Sequence, residues 1–379
     1  MCADPGQMPL NLRDLDLTAM TAALDRYGVE AAKAARVFAA VQRDGVASVD
    51  GMDWLSLTIR RALAADVIFP EIEIVERRRA ADGFVKYLFR LPDHALIEAV
   101  RIPLPDPDDA RALKQRRQRG EATGLVALPT AKYTLCISSQ VGCTLACDFC
   151  CTGRLRPTGG VRNLAAWEML AQVRAMRAGA DHPVAGVLFL GMGEPLLNYD
   201  NVIRAARILS DPAGLAISAD AISISTAGVV PAIRRFTAEK HRFRLIISLA
   251  APTRERRLAL MPIEKTWPIE ELVAAVRDYA GASKTRVTLA YVAVSGANLD
   301  RQSAHELGRL FQGMKVKINL IDVNDREGSF VPPSDDEIAE FRDELSRFSI
   351  PVVRRYAGGR DIGAACGTLA ATRAGGEVI

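Results

Sequence analysis

Small and apolar residues recur at helical spacing over Thr18–Arg26, Glu30–Arg43 and Ser56–Ala65, which predicts a compact helical unit in the first part of the chain. From Ile72 to Pro103 the pattern shifts to short strand-like runs, among them Phe84–Arg90 and Leu96–Ile102, with turn signals at Asp82-Gly83 and Pro92-Asp93. A basic stretch, 104–130, reads as a linker. Beyond it, strand patterns at Tyr133–Ser138, Gly186–Leu190, Ala221–Ser225, Arg244–Leu249, Val287–Val292 and Val316–Ile321 alternate with helical ones such as Leu164–Arg177, Val202–Leu209, Ile269–Tyr279 and Ser303–Phe311. Serial strand-helix units imply a parallel sheet with right-handed crossovers, most simply an α/β partial (β/α)6 barrel whose active site lies at the C-terminal ends of its strands. The expected division is a helical accessory unit over 1–70, short strands and linker over 71–130, and the barrel with a C-terminal extension over 131–379.

Composition narrows the class. With 379 residues, 49% hydrophobic and 25% charged, the chain has ample material for a buried core, which excludes disorder as its main theme. It has no apolar run long enough to span a bilayer, and acidic residues at Asp4, Asp14 and Asp16 do not suit a secretory signal, so a cytoplasmic protein without membrane contact is expected. The net charge of +4 is small, but its distribution is uneven. Arg111, Lys114, Arg116, Arg117 and Arg119 form one basic run, and further clusters lie at Arg234-Arg235, Lys240–Arg244 and Arg254–Arg257. Such clusters supply the phosphate contacts that dominate nucleic-acid affinity, although charge runs often only solvate a surface.

Seven cysteines, four of them between Cys143 and Cys151, do not resemble a secretory disulfide framework. Cys143, Cys147 and Cys150 have the spacing Cys-x3-Cys-x2-Cys just after the first barrel strand. Clustered thiolates select iron-sulfur or zinc, and zinc normally wants a fourth ligand nearby, whereas three thiolates leave one iron of a cubane cluster open. Gly191-Met192-Gly193-Glu194-Pro195 follows the second strand; its glycines allow close backbone approach and its carboxylate can meet a cationic amine. Cys136 lies shortly before the three-cysteine loop, and Cys366 stands in Ala364-Ala365-Cys366-Gly367 near the other end of the chain. By itself, either would read as a small buried residue.

Together these segments resemble the RlmN and Cfr family of radical S-adenosylmethionine (SAM) enzymes, which methylate a ring carbon of adenine in RNA. The likeness runs from about residue 33 to 371 and includes Lys86, Ile97-Glu98-Ala99-Val100, Leu260-Met261-Pro262-Ile263 and Ile318-Asn319-Leu320-Ile321. It implies a [4Fe-4S] cluster on Cys143, Cys147 and Cys150, and two SAM molecules per turnover. SAM would be contacted by Gly193, Glu194, Ser225, Ser248-Leu249-Ala250 and Asn324. Cys366 would accept a methyl group from one SAM, and a radical derived from the other would take hydrogen from that methyl so that its carbon adds to adenine. Cys136 would help remove the proton from the adduct and then attack the Cys366 sulfur, closing a disulfide and freeing the product. Glu98 matches the family's proton acceptor. Carbon 2 of an adenine in ribosomal RNA, with transfer RNA as a further substrate, is the expected target, on a monomer supplied with electrons by a flavodoxin or ferredoxin.

The match has departures. Ala250 stands where the family has histidine, Ala290 precedes Tyr291 where an acid is usual, Leu299 splits an Asn-Asp pair, Asp325 follows Asn324 in place of proline, and Cys151 adds a thiol beside the last cluster ligand. These bear on the substrate more than on the reaction. The alternatives are the same mechanism on a different RNA or a small adenine-containing molecule, and an RNA-binding protein of this fold that has no methyl transfer.

Overall fold

The structure is a computed structural model that describes residues 9–118, 128–157, 159–324, 328–355 and 358–370. Three helices open it, α1 (Leu17–Asp25), α2 (Ala31–Gln42) and α3 (Leu57–Asp66), each within a residue of its predicted bounds. Asp16 and Ser56 cap α1 and α3 through hydrogen bonds from Ala19 N and Ile59 N. This unit is docked on the barrel by Asp14, whose carboxylate accepts from Trp167 N at 2.9 Å and pairs with Arg204 at 2.9 Å.

Strands β1 (Glu73–Arg79), β2 (Val85–Arg90) and β3 (Leu96–Pro105) form an antiparallel meander. The stretch read as linker instead begins with a helix, α4 (Pro107–Gln118). Its start follows from Asp106, which accepts a hydrogen bond from Asp108 N, from Pro107 in the first turn, and from two further acids at the positive end of the helix dipole. Arg111, Lys114, Arg116 and Arg117 lie on α4; Arg119 lies outside the described residues, as does Asp325.

The barrel strands follow as β4 (Thr130–Ile137), β5 (Val184–Phe189), β6 (Ile222–Thr226), β7 (Arg244–Ser248), β8 (Val287–Ala293), β9 (Val316–Asp322) and β10 (Val352–Arg355). All seven are parallel. The six strands read from the sequence are present, and β10 extends the series by one; its run of four residues is too short for periodicity to reveal. The crossovers are α5 (Ala166–Ala178), α6 (Tyr199–Ser210), α7 (Val230–Ala238), α8 (Arg254–Leu260) with α9 (Ile269–Ala282), α10 (Arg301–Phe311) and α11 (Asp335–Ser346).

The sheet runs β1 to β10 in strict chain order, because β3 pairs antiparallel with β4 and joins the meander to the barrel edge. In that register Val100 sits opposite Cys136, so residues of the meander face the same interior as the first barrel strand. Among the described residues, no helix is long and apolar enough to cross a membrane.

Candidate active site

Residues at the C-terminal ends of the barrel strands enclose a cavity of about 210 Å³. Cys136 near the end of β4, Ser225 near the end of β6 and Ser248 at the end of β7 line it, with Gly193 and Glu194 from the loop after β5. The loop after β4 adds Cys143, Cys147 and Cys150, and the C-terminal tail adds Cys366. The sequence reading therefore placed nine of its residues on one surface.

The loop after β5 is shaped by contact with β4. A side chain at Gly191 would bring its Cβ within 2.7 Å of Ile137 carbonyl atoms. Gly193 has φ +98° and would bring a Cβ within 2.5 Å of Gln140. Gln140 Oε1 accepts from Glu194 N at 2.8 Å. The buried Glu194 carboxylate accepts from Leu196 N at 2.9 Å and Ala227 N at 2.7 Å. Burial raises its pKa to about 7 against the pull of these donors. A buried carboxylate of this kind is suited to meet a cation.

Three tethers hold the tail over the cavity. Cys151 N donates to Gly367 O at 2.8 Å, Thr152 Oγ1 to Leu369 O at 2.7 Å, and Ala370 N to Glu98 Oε2 at 2.9 Å. All three act just beyond Cys366, at Gly367, Leu369 and Ala370, two from the segment after the cysteine loop and one from β3. Cys366 remains accessible from the mouth, although burial by the walls raises its thiol pKa. Burial also pushes Cys136 up to about 12, with Cys366 adding to the shift and Arg355 opposing it. Cys143 is pushed to about 12 by burial, and Cys147 is raised by burial and then by its two neighbouring thiols.

The three-thiol loop fits an iron-sulfur cluster in its donor chemistry: three soft sulfurs share one cavity, and binding a metal would displace protons that burial otherwise holds on them. Among the described residues, no three or more His, Cys, Asp or Glu side chains are close enough to hold a single metal ion. The disulfide implied by the resemblance is not formed, since Cys136 and Cys366 are free thiols.

The remaining expected site residues lie elsewhere. Leu249 and Ala250 are packed in the core rather than on the cavity wall, and the Ala250 carbonyl accepts from Asn298 Nδ2 at 2.7 Å. Asn324 donates to Asp322 O beyond β9. Glu98 is fully buried behind the tail, on the strand face shared by Val100 and Ile102, both of which line the cavity. Several basic clusters are less available to RNA than their spacing suggested: Arg235 pairs with Asp200 and Glu239, Arg256 with Asp300, and Arg257 is fully buried. The sequence reading missed Arg355, a cation on the cavity wall. Its signal was a Val352-Val353-Arg354-Arg355 run just before Gly358-Gly359.

The pattern of the Radical SAM superfamily matches residues 137–307. A probable RNA methyltransferase of Myxococcus xanthus is 48% identical over 98% of this chain and 97% of its own length. A dual-specificity RNA methyltransferase RlmN of Syntrophobacter fumaroxidans is 36% identical over 96% of this chain and 98% of its own. Among solved structures, a radical SAM methyltransferase from Sphaerobacter thermophilus has 35% identity and a TM-score of 0.81, covering 96% of this chain and all of that one, 100%.

Proposed function

The chain belongs to the RlmN family of radical-SAM RNA methyltransferases, and from that premise we propose that it methylates carbon 2 of an adenine in ribosomal RNA, and in transfer RNA as a second substrate, through a methyl group carried on Cys366. Family membership implies a [4Fe-4S] cluster and SAM. The observation that carries the proposal is that Cys136 and Cys366, far apart in the chain, line one cavity with the three-cysteine loop and Glu194.

When bound, the cluster and SAM supply an electron, a methyl group and a hydrogen-abstracting radical. Cys143, Cys147 and Cys150 would hold the cluster, and Gly193, Glu194, Ser225 and Ser248 would seat SAM, with Glu194 facing its amine. A ring carbon between two nitrogens is electron-poor and does not attack a methyl donor, so the protein must deliver the carbon itself. Cys366 does so from a tail tethered just beyond it at Gly367, Leu369 and Ala370. Once the adduct radical has given up one electron, Cys136 would take its proton and pass it on, and as a thiolate would attack the Cys366 sulfur; the sulfur–carbon bond breaks, the released carbon takes up a proton to become the methyl group, and a transient disulfide is left to be reduced. A thiol raised by burial gains from the nearby Arg355 cation when it must become a thiolate. We retain Glu98, which holds the tail at Ala370 N, as the further proton acceptor. The target base must be exposed or flipped to enter so enclosed a site. We place the reaction in the cytoplasm, on a monomer reduced by a flavodoxin or ferredoxin.

The test separates the two cysteines. Cys366→Ala removes the sulfur to be methylated and should give no RNA adduct. Cys136→Ala should still add to the base and accumulate a covalent protein–RNA species, seen as a gel shift that survives denaturation and disappears with nuclease. If neither variant trapped RNA on substrate that the wild type methylates, the division of labour would be wrong.

A further inference from the structure

Arg257 is an arginine with no exposed surface, held on α8. Its guanidinium spans two separate segments. One nitrogen contacts the buried Glu264 carboxylate and Trp267 O, and the other donates to Ala227 O at 2.7 Å. Ala227 is also the residue whose N–H reaches Glu194 Oε2 at 2.7 Å. One peptide unit therefore lies on each side of Ala227, with the cation fixing its carbonyl and its amide fixing the Glu194 carboxylate. The next residue, Gly228, has φ +112° and a Cβ there would come within 3.1 Å of the guanidinium, so the loop is packed directly against it.

The same helix reaches the cysteine loop. Leu260, the last residue of α8, accepts from Asp148 N at 3.2 Å, between Cys147 and Cys150. Glu264, whose other oxygen accepts from Ile269 N at 3.0 Å, ties the segment after α8 to the start of α9. α8 is thus anchored at both ends of the site. Burying a charge this deeply carries a large desolvation penalty, and apolar packing would serve stability as well, so a buried Arg-Glu pair is weak evidence of a stabilising role.

We propose that Arg257 is a positioning residue: through Ala227 it sets the Glu194 carboxylate against the three-cysteine loop, so that the amine of SAM and the cluster that SAM must reach are held at a fixed separation. The proposal rests on the reading of Glu194 as the SAM-amine partner. Lysine at this position would keep the charge opposite Glu264 but lose the planar fork that spans Glu264 and Ala227. The double substitution Arg257→Met with Glu264→Gln would remove the buried charges together at similar volume and keep an acceptor for Ile269 N, while deleting the bond to Ala227 O.

The test uses full-length protein. In cluster-free samples, hydrogen exchange at the Ala227 amide should speed up in Arg257→Lys and in the double variant. After anaerobic reconstitution, the double variant should hold the wild-type iron complement and melt within a few degrees of wild type, yet bind SAM at least tenfold more weakly by equilibrium dialysis. Wild-type SAM affinity in the double variant overturns the proposal, and so does weaker SAM binding that merely follows loss of iron. Glu194→Gln serves as the control. If it bound SAM like wild type, the reading of Glu194 would fail; if it bound SAM weakly while the Arg257 variants bound normally, only the positioning role would fail.

Discussion

Lys86 Nζ lies 2.8 Å from Glu98 Oε1, and both side chains are sealed from solvent. Neither atom has a hydrogen-bond partner of good geometry among the described residues, so the contact is a buried ion pair. The other Glu98 oxygen holds Ala370 N, and the pair thereby couples β2 and β3 to the tail that carries Cys366. Removing one partner of such a pair leaves an uncompensated charge. Lys86→Met should cost about 3–5 kcal/mol, read as a lower urea midpoint. Lys86→Met with Glu98→Gln keeps an acceptor for Ala370 N and should recover most of that loss. Equal stability of Lys86→Met and wild type would show that the pair carries no net energy.

Reconstituted wild-type protein should bind about four iron and four sulfide per chain. Replacing Cys143, Cys147 and Cys150 with alanine should reduce both to background in iron and sulfide assays, while circular dichroism stays that of the folded barrel. A triple variant that still cleaved SAM would remove the cluster assignment.

Glu194 gives a pH signature. Its folded-state pKa is raised to about 7, so the carboxyl is neutral below that pH and ionised above it. A neutral carboxyl cannot pair with an ammonium group. SAM affinity should therefore fall as pH drops through about 7, and Glu194→Gln should flatten the profile while weakening binding at pH 8. For stability the sign is opposite: the raised acid favours the folded state fully below its unfolded pKa, and that contribution is lost as pH rises through about 7.

Asp14 ties the N-terminal segment to the barrel helices, bonded to Trp167 N on α5 and to Arg204 on α6. If the helical unit contributes RNA affinity, Asp14→Ala should weaken RNA binding severalfold in filter assays and leave SAM affinity unchanged. Binding by both proteins should fall steeply with salt as phosphate counterions are released. RNA binding that did not respond to the substitution would place the RNA contacts on the barrel alone.

Local pattern carried most of the architecture. The three N-terminal helices and six barrel strands show in the spacing of their apolar residues, and their observed bounds stay close to the predicted ones. Helix α4 was legible too, in Asp106-Pro107-Asp108-Asp109, but its basic body hid it: mean apolarity is the wrong signal for a solvated helix. The cysteines announced themselves by chemistry and spacing, since no fold requires three thiols in eight residues.

What only the tertiary structure decided is which distant groups share a boundary. No spacing rule links Glu98 to Ala370, Cys151 to Gly367, or Arg257 to Glu194 through Ala227, because those contacts cross between strands, loops and the tail. The same limit explains the basic clusters: sequence counts charge, but whether Arg257 meets RNA or a buried carboxylate depends on which face of α8 turns inward. By itself the sequence determined the elements and the chemistry available to them, both of which are set by neighbours along the chain. Close packing of the barrel ends decided how that chemistry is held, because it brings residues hundreds of positions apart within hydrogen-bond distance and excludes the water that would otherwise compete for them.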